Sequence, residues 1–486
     1  MSIRKSLAYS LIDRYASLAI NIVSTMILAR LLTPDDVGAF SVTMVIIAMM
    51  ANVRDLGAGQ YLVQEKELTH ERIRAVWAVQ LGLGVLLALV VLALSVPASL
   101  FYNDTRVRDV MFVLAVGYLV NPFGSVTYAW LMREMRYDAT AVIRLSYTLA
   151  SAGTSIFLAW RGFGTMSLAW GSLAGTVANA LVATLYRPHG YPWLPGLREV
   201  RKVLSFGTRI TGSSLATTLA KGAPEFFLGK LQSLTAAGFY SRANGMVALF
   251  NRLVFDAASV VATSGFAKQM RESKDLREPF LLGTAHVLAL CWAFAGALAF
   301  LASPLTRLLY GPQWEPSAEL ARWLAGALAL AAPVPLCLSA LTGTGAAALA
   351  LRASLLSAAV AVPLYLLGAS QGLQAMGAAA LAAEGAGTLF WLGSARSVVG
   401  FSWSSLAVVA GRSAVVGACA SVGPALVYAA YGRAQDRTVT ALLLGAAGSA
   451  VGFLAGLLLA RHPLLGELRR LLRRKAPEAH QAQPGR

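Results

Sequence analysis

Residues 28–41, LARLLTPDDVGAFS, return two hundred positions later as residues 228–241, LGKLQSLTAAGFYS. The pairs Leu28/Leu228, Ala29/Gly229, Arg30/Lys230, Leu31/Leu231, Gly38/Gly238, Phe40/Tyr240 and Ser41/Ser241 all share this offset without a gap. Each copy joins two apolar stretches through a short polar turn with a cation on its first flank and a glycine at its exit. Two antiparallel membrane helices need such a turn, so the chain reads as an internal duplication. A fainter echo runs from SVPASLFY (95–102) to SPLTRLLY (303–310), which extends the duplication over several helices.

Outward from this motif the chain is apolar. Of its 486 residues 57% are hydrophobic and 13% charged, and the mean hydropathy is +0.62. Apolar runs of about 20 residues recur, the length a helix needs to cross a bilayer core of about 30 Å. The polar intervals 187–202, 268–279 and the tail after 461 are too short to bury a core of their own. The expected class is an all-α polytopic membrane protein. Its formal charge of +18 would suggest nucleic acid in a soluble chain, but the cations fall mostly in alternate loops, so membrane topology accounts for them and no nucleic-acid partner is expected. Cys291, Cys337 and Cys419 lie in apolar segments without CxxC spacing and read as small core residues. The N-terminus lacks a small-residue cleavage site and reads as an uncleaved first helix.

Fourteen spans are expected, at 9–31, 39–61, 76–100, 110–131, 141–160, 166–186, 203–228, 239–263, 280–302, 318–341, 346–367, 374–394, 406–430 and 438–460. An even number puts both termini on one side. The ends and even-numbered loops hold about 25 of the 41 Lys and Arg and the odd-numbered loops about 8, which places both ends in the cytoplasm. The prolines of RPHGYPWLPGLREVRK (187–202) bar a continuous helix and mark a cytoplasmic linker between two lobes. The expected organisation is a six-helix lobe over 1–186, the linker 187–202, a second six-helix lobe over 203–400, two additional helices over 401–460 and a basic cytoplasmic tail over 461–486. Six spans on each side of the linker make the repeat parallel, about an axis along the membrane normal. Helix breakers at 121–124, 222–224, Pro333 with Pro335, Pro363 and 423–424 read as packing kinks or as hinges. The tail RHPLLGELRRLLRRK suits a helix lying on an anionic leaflet.

Ionisable residues within the spans carry the functional signal, because a charge in lipid costs at least a few kcal/mol and must face the bundle interior or water. Arg14, Arg209, Lys221 and Arg242 concentrate in the first, seventh and eighth spans and imply a cationic cavity. A guanidinium fork matches phosphate oxygens, so these residues, with Arg252 in support, are the candidate substrate-binding set. Arg252 and Asp256, four apart, can pair on one helix face. Glu225, Asp256, Asp13 and Asp55 are the candidate carboxylates for coupling to protons or sodium. No P-loop is present, and His70, His189, His286, His462 and His480 lack ligand spacing, so neither ATP, a metal nor another cofactor is expected. The external loops are too short for the carboxylate-bearing domain of a membrane polymerase. The chain therefore reads as a transporter rather than an enzyme.

LARLLTPDDVGAF, RDLGAGQYLVQEKELT (54–69), LMREMRYD (131–138), GFGTMSLAW (162–170), LSFGTRITGSS (204–214), GFYSRANGM (238–246) and LLYGPQWEPSAELARWLA (308–325) together resemble the Wzx-type oligosaccharide flippases of the multidrug/oligosaccharidyl-lipid/polysaccharide exporter superfamily. The likeness runs over about residues 8–400 and is closest to the branch exporting colanic acid or succinoglycan. It implies two six-helix lobes around a V-shaped, alternately open cavity. It further implies flipping of an undecaprenyl-pyrophosphate-linked repeat unit across the bacterial inner membrane for exopolysaccharide or lipopolysaccharide synthesis, with an ion gradient as the drive and polymerase and export machinery as partners. LAKGAPEFFLGK (219–230) departs from the family pattern, with Lys221, Pro224 and Glu225 where an Asn/Asp pair is expected. Two rivals are a cation-coupled drug or small-solute exporter of the same superfamily, with a more acidic cavity, and a membrane polysaccharide polymerase.

Overall fold

The computed structural model describes residues 3–470 except 56, 57, 66, 189–191, 193, 432–437, 468 and 469; side chains are described outside 3–12, 52, 53, 55, 58, 60, 64, 202 and 204–216. Among the described residues there are helices and no strands. In order they are α1 (Ile3–Leu31), α2 (Pro34–Asp55), α3 (Ala58–Gln64), α4 (His70–Tyr102), α5 (Thr105–Arg133), α6 (Tyr137–Trp160), α7 (Thr165–Leu185), α8 (Val200–Leu231), α9 (Leu234–Phe250), α10 (Asp256–Arg271), α11 (Arg277–Leu309), α12 (Glu315–Ala331), α13 (Val334–Gly343), α14 (Ala347–Gln371), α15 (Leu373–Val399), α16 (Trp403–Tyr431) and α17 (Thr438–Leu459). With α9–α10 and α12–α13 each taken as one broken helix, fourteen long helices coincide with the fourteen expected spans. Among the described residues twelve are long and apolar enough to cross a membrane, and α1 and α8, at 29 and 32 residues, also exceed the required length.

Turn chemistry sets the boundaries. Asn103 takes the left-handed conformation that ends α4, and Asp104 accepts the Arg106 amide at 2.8 Å to begin α5. The prolines of the 187–202 linker keep α7 and α8 apart as expected. Four of the five expected breakers lie inside continuous helices, since Pro122, Pro224, Pro363 and Pro424 sit within α5, α8, α14 and α16. Only Pro333 with Pro335 separates two helices, α12 and α13. An unexpected break is the π-turn Asn251–Phe255 between α9 and α10.

The chain packs as two compact units, Met1–Arg242 with Leu309–Ser317 and Tyr365–Met376, and Ala243–Leu308 with Ala318–Leu364 and Gly377–Arg486. These cut the chain elsewhere than the repeat does, because α8 and the first turns of α9 pack with first-copy helices. In the first unit α1 lies on α6, α6 on α7, and α4 on α5, while α2 and α4 both pack on α8. A core under α3, α4 and α5 holds Leu62, Val76, Trp77 and Val203. The linker is clasped to the start of α4: the Gly196 amide donates to the Arg74 carbonyl at 2.9 Å, Arg74 donates to the Leu194 carbonyl, and Arg198 pairs with Glu71.

In the second unit α16 and α17 meet through Gly423 on Gly448, Gly452 on the Cys419 carbonyl and Gly456 on Val416, the small-residue packing that lets membrane helices approach closely. Ala289, Val416 and Leu457 form a core joining both helices to α11. Past the end of α17, His462 is buried. Its Nδ1 accepts the Leu464 amide, so the proton resides on Nε2, 3.2 Å from Ser413 Oγ. The basic tail beyond residue 470 lies outside the described residues.

Burial pushes the His462 imidazole down to about 4, and His286 and Arg412 add to the shift. The folded form thus binds fewer protons than the unfolded chain, whose histidine titrates near 6.5. The stability this supplies is present at neutral pH and is lost as pH falls from about 6.5 through 4. The thermal midpoint in detergent should drop over that window, and drop less in His462→Gln, which keeps a donor and an acceptor but does not titrate.

Candidate functional site

The two copies of the repeated motif meet in the first unit. In the first, Thr33 caps α2: the Asp36 amide donates to Thr33 Oγ1 at 3.1 Å, and Thr33 Oγ1 donates back to Asp36 Oδ2 at 2.7 Å. Pro34 takes the first helical position, which suits its missing amide proton. In the second, Ser233 at the same offset accepts the Ala236 amide at 3.1 Å, although Asp36 has become Ala236. The extra carboxylate of the first copy ties α2 to α5 and α7. Asp36 Oδ1 accepts the Thr165 amide and hydroxyl at 3.1 and 2.9 Å, and Arg106 joins Asp35, Asp36 and Asp104. Burial pushes the Asp104 carboxyl up, but its bonds from Arg106 outweigh this and hold it below the usual carboxylate range. Thr235 donates to Asp35 at 3.1 Å, a bond between two residues at the same offset.

At the centre the helices cross at Gly38 and Gly238. A Cβ on Gly38 would overlap the Leu234 carbonyl, and one on Gly238 would overlap the Pro34 carbonyl. Each would also lie 3.0 or 3.1 Å from the other glycine's nitrogen. The clash partners Pro34 and Leu234 are themselves repeat equivalents, so a local two-fold passes through this crossing.

The motif's cations exchange places across it. Arg30 donates to the carbonyl of Leu309 at 3.2 Å, while Lys230 donates to the carbonyl of Phe101 at 2.5 Å, its ammonium 4.5 Å from the Phe101 ring centre. Phe101 and Leu309 correspond in the 95–102/303–310 echo. Each copy's cation therefore meets orphan carbonyls at the C-terminus of the other copy's helix, where the dipole favours positive charge. Trp314 Nε1 and Gln313 add bonds to the Ala29 carbonyl at 2.8 and 2.6 Å.

Of the expected site residues, Glu225 and Arg242 both come to this junction. The carboxyl of Glu225 faces the hydroxyls of Ser41 and Ser241. The guanidinium of Arg242 lies 5.2 Å from the Trp314 ring and 5.6 Å from the Tyr310 ring, with Nε buried and not hydrogen-bonded. Lys221 is exposed on α8. Asp13 is buried and paired at 3.3 Å with Arg144, which also donates to Tyr128 at 2.7 Å, and Ser17 donates to Asp13. Arg14 is half-buried on α1. Arg252 in the π-turn and Asp256 at the start of α10 are exposed in the second unit. The side chains of Arg209 and Asp55 lie outside the described residues. Ser41, Ser241, Tyr310 and Trp314 were not picked out as site residues. The signals that could have found them were the motif's aligned serines and the tyrosine ending the second echo.

The fold and this crossing define a polytopic helical membrane protein built on a parallel duplication. The polysaccharide biosynthesis protein family matches residues 27–319, more than half of the chain, and the chain belongs to that family. It is 24% identical over 317 residues to the succinoglycan biosynthesis transport protein ExoT of Rhizobium meliloti (strain 1021), covering 64% of this chain and 63% of that protein. It is 23% identical over 317 residues to the lipopolysaccharide biosynthesis protein WzxC of Escherichia coli (strain K12), covering 63% of each. The matches thus span somewhat under two thirds of these relatives. Among solved structures, the lipid II flippase MurJ in its inward closed conformation superposes with a TM-score of 0.73 at 13% identity, over 91% of this chain and 97% of that one. An inward-facing multidrug transporter of the MOP superfamily superposes at 0.60 and 15% identity, over 80% and 99%. The fold is that of this superfamily.

Two substitutions test the packing at the site. Gly38→Val or Gly238→Val drives a side chain into backbone and should cost about 1–3 kcal/mol, read as a lower thermal midpoint, while Gly153→Ala, with open space around it, should not. Arg144→Met strands Asp13 and should cost about 1–2 kcal/mol, discounted because Arg144 is half exposed. Adding Asp13→Asn should restore most of the loss in the same melt.

Proposed function

We propose that this chain is a secondary transporter that flips an undecaprenyl-pyrophosphate-linked oligosaccharide repeat unit from the cytoplasmic to the outer leaflet of the bacterial inner membrane. The observation that carries this reading is that a member of a polysaccharide biosynthesis family consists, over its described length, of membrane-length helices. What such a chain can contribute to polymer assembly is passage across the bilayer. ExoT, a biosynthesis transport protein by name, and the lipid II flippase support the same class. The repeats 1–186 and 203–400 act as the two moving lobes, with 187–202 as their linker and 401–460 as accessory helices. Both termini lie in the cytoplasm, where the larger share of cations falls.

A pyrophosphate carries about two negative charges and cannot cross hydrocarbon bare, so fixed donors must replace its water while the polyprenyl tail stays in lipid. Arg242 is suited to this task because its rings orient the guanidinium and leave its edge for bidentate contact. Arg14, Arg209 and Lys221 extend the cationic set, and Arg252 supports it. Glu225 is the foremost of the coupling carboxylates; Asp256 and Asp55 are secondary, and Asp13 is engaged by Arg144. A polysaccharide polymerase receives the flipped unit.

Each of Arg14, Arg209, Lys221 and Arg242 is replaced by alanine in a strain lacking the chromosomal copy, membrane levels are matched, and polysaccharide export is measured. A charge-assisted contact is worth roughly 1.5–3 kcal/mol, so Arg242→Ala should lower export by about one to two decades, and Arg242→Lys should recover part of it. Normal export from all four variants would overturn the cationic-cavity reading.

A further inference from the structure

In the second unit α10 leans on α13 and leaves a gap beside α11. Ser339 donates to the Ser259 carbonyl at 3.3 Å, and a Cβ on Gly343 would lie 2.7 Å from the Thr263 carbonyl, so α10 and α13 touch at two levels. Ala258, Ala262, Gly265 and Gln269 recur every three or four residues and share one face of α10, as Pro279, Gly283 and His286 do on α11. Most of these side chains are too small to fill the space between the two faces. The result is a cavity of about 410 Å³, which Leu336 of α13 also lines. Small-molecule sites have roughly this size, about 300–1,000 Å³, and an apolar cavity stays dry and takes apolar ligands.

Two atoms break the apolar lining. Gln269 Oε1 and His286 Nε2 are shut off from solvent and make no hydrogen bond, a state whose cost a bound polar group would remove. His462, with its ring centre 6.4 Å from that of His286, is no substitute, because its Nε2 is engaged with Ser413. Gln269 and His286 stand on the two arms of a hairpin joined by the turn 272–276. Side chains lean toward the N-terminus of their own helix, and α10 and α11 run in opposite directions, so these two lean toward one another. We propose that the cavity holds one acyl chain of a neutral bilayer lipid, a diacylglycerol. Its free hydroxyl donates to Gln269 Oε1 and accepts from His286 Nε2–H, which satisfies both atoms with one group. The inference concerns the second unit alone and does not depend on what the chain transports.

Depth favours a lipid over a water-borne molecule. Gln269 lies two residues before the end of α10 and Pro279 two residues after the start of α11, whereas Ala258 lies well inside the apolar stretch of its helix. One end of the cavity is therefore near the membrane interface and the other among hydrocarbon, which is how a lipid lies. Val261, which also lines the cavity, is 73% exposed, so the cavity opens sideways through an apolar edge by which an acyl chain can enter. Charge favours a neutral head. Among the described residues that line the cavity none is Asp, Glu, Lys or Arg, and a phosphate there would be desolvated without a counter-charge. Lys268, adjacent in sequence to Gln269, is 70% exposed and lies 3.9 Å from Glu272.

The test uses the full chain in lipid nanodiscs that contain, as a minor component, diacylglycerol with a diazirine in one acyl chain. After illumination the labelled peptides are identified by mass spectrometry. Label should concentrate on residues 258–269 and 279–287. Acetylating the probe's hydroxyl removes its donor and should lower that labelling about fivefold, the equilibrium worth of one net hydrogen bond. Gly265→Leu, whose Cβ meets open space, should fill the cavity and abolish the label without lowering the thermal midpoint. Gln269→Leu keeps an apolar lining of similar size and should take the free and acetylated probes alike. Equal labelling of the two probes in the wild type, label spread evenly over the exposed helices, or unchanged label in Gly265→Leu would each overturn the proposal. Should Gly265→Leu fail to fold, the two probes compared on wild type and Gln269→Leu decide the matter. No transported substrate is present, so the lipid site can fail while flipping stands, and failure of the export assay leaves the labelling result intact.

Discussion

The contact on which the site depends is the backbone crossing of Gly38 and Gly238. Two helices can touch this closely only where neither carries a Cβ, and here that condition holds at equivalent positions of the duplicated motif. Everything else at the junction follows from the approach. Thr235 reaches Asp35, Arg30 and Lys230 reach the carbonyls at the ends of each other's partner helices, and Ser41 and Ser241 converge on one carboxyl.

The junction also distributes charge by role. Near the turns, carboxylates are satisfied: Asp36 by Thr33, Thr165 and Arg106, and Asp104 by Arg106. Such groups position helices and do not need to change state. Asp13, buried on α1, is likewise held by Arg144 and Ser17. Glu225 and Arg242 differ, since one faces hydroxyls and the other aromatic rings. Arg242 keeps a buried Nε that makes no hydrogen bond, unlike the carboxylates near the turns.

Much of this was legible from residues alone. Runs of about twenty apolar residues set the number and order of the long helices, because only internally hydrogen-bonded segments survive in lipid. The exact offset between the motif's copies announced the duplication, though not the crossing of its two glycines, and Glu225 and Arg242 both stand out as charges in apolar spans. The partners of those charges were not legible. Arg144 lies 131 positions from Asp13, and Trp314 and Tyr310 lie some seventy from Arg242, separations at which only packing decides who meets whom. Pro122, Pro224, Pro363 and Pro424 lie inside continuous helices, and the π-turn at Asn251–Phe255, which carries no proline, had no signal in the residues.

By itself, then, the amino-acid order determined the class, the helices, the duplication and the polar turns, all of which are local or periodic properties set by the bilayer's thickness and by the intolerance of lipid for unpaired backbone. The tertiary structure alone decided that the compact units part at Arg242 rather than at the linker, that each repeat's cation serves the other repeat's helix, and that a single acid lies between two equivalent serines. These depend on distances between segments hundreds of residues apart. Such distances are set by how closely glycine lets two helices approach, and no pattern within either helix encodes which partner will occupy the space.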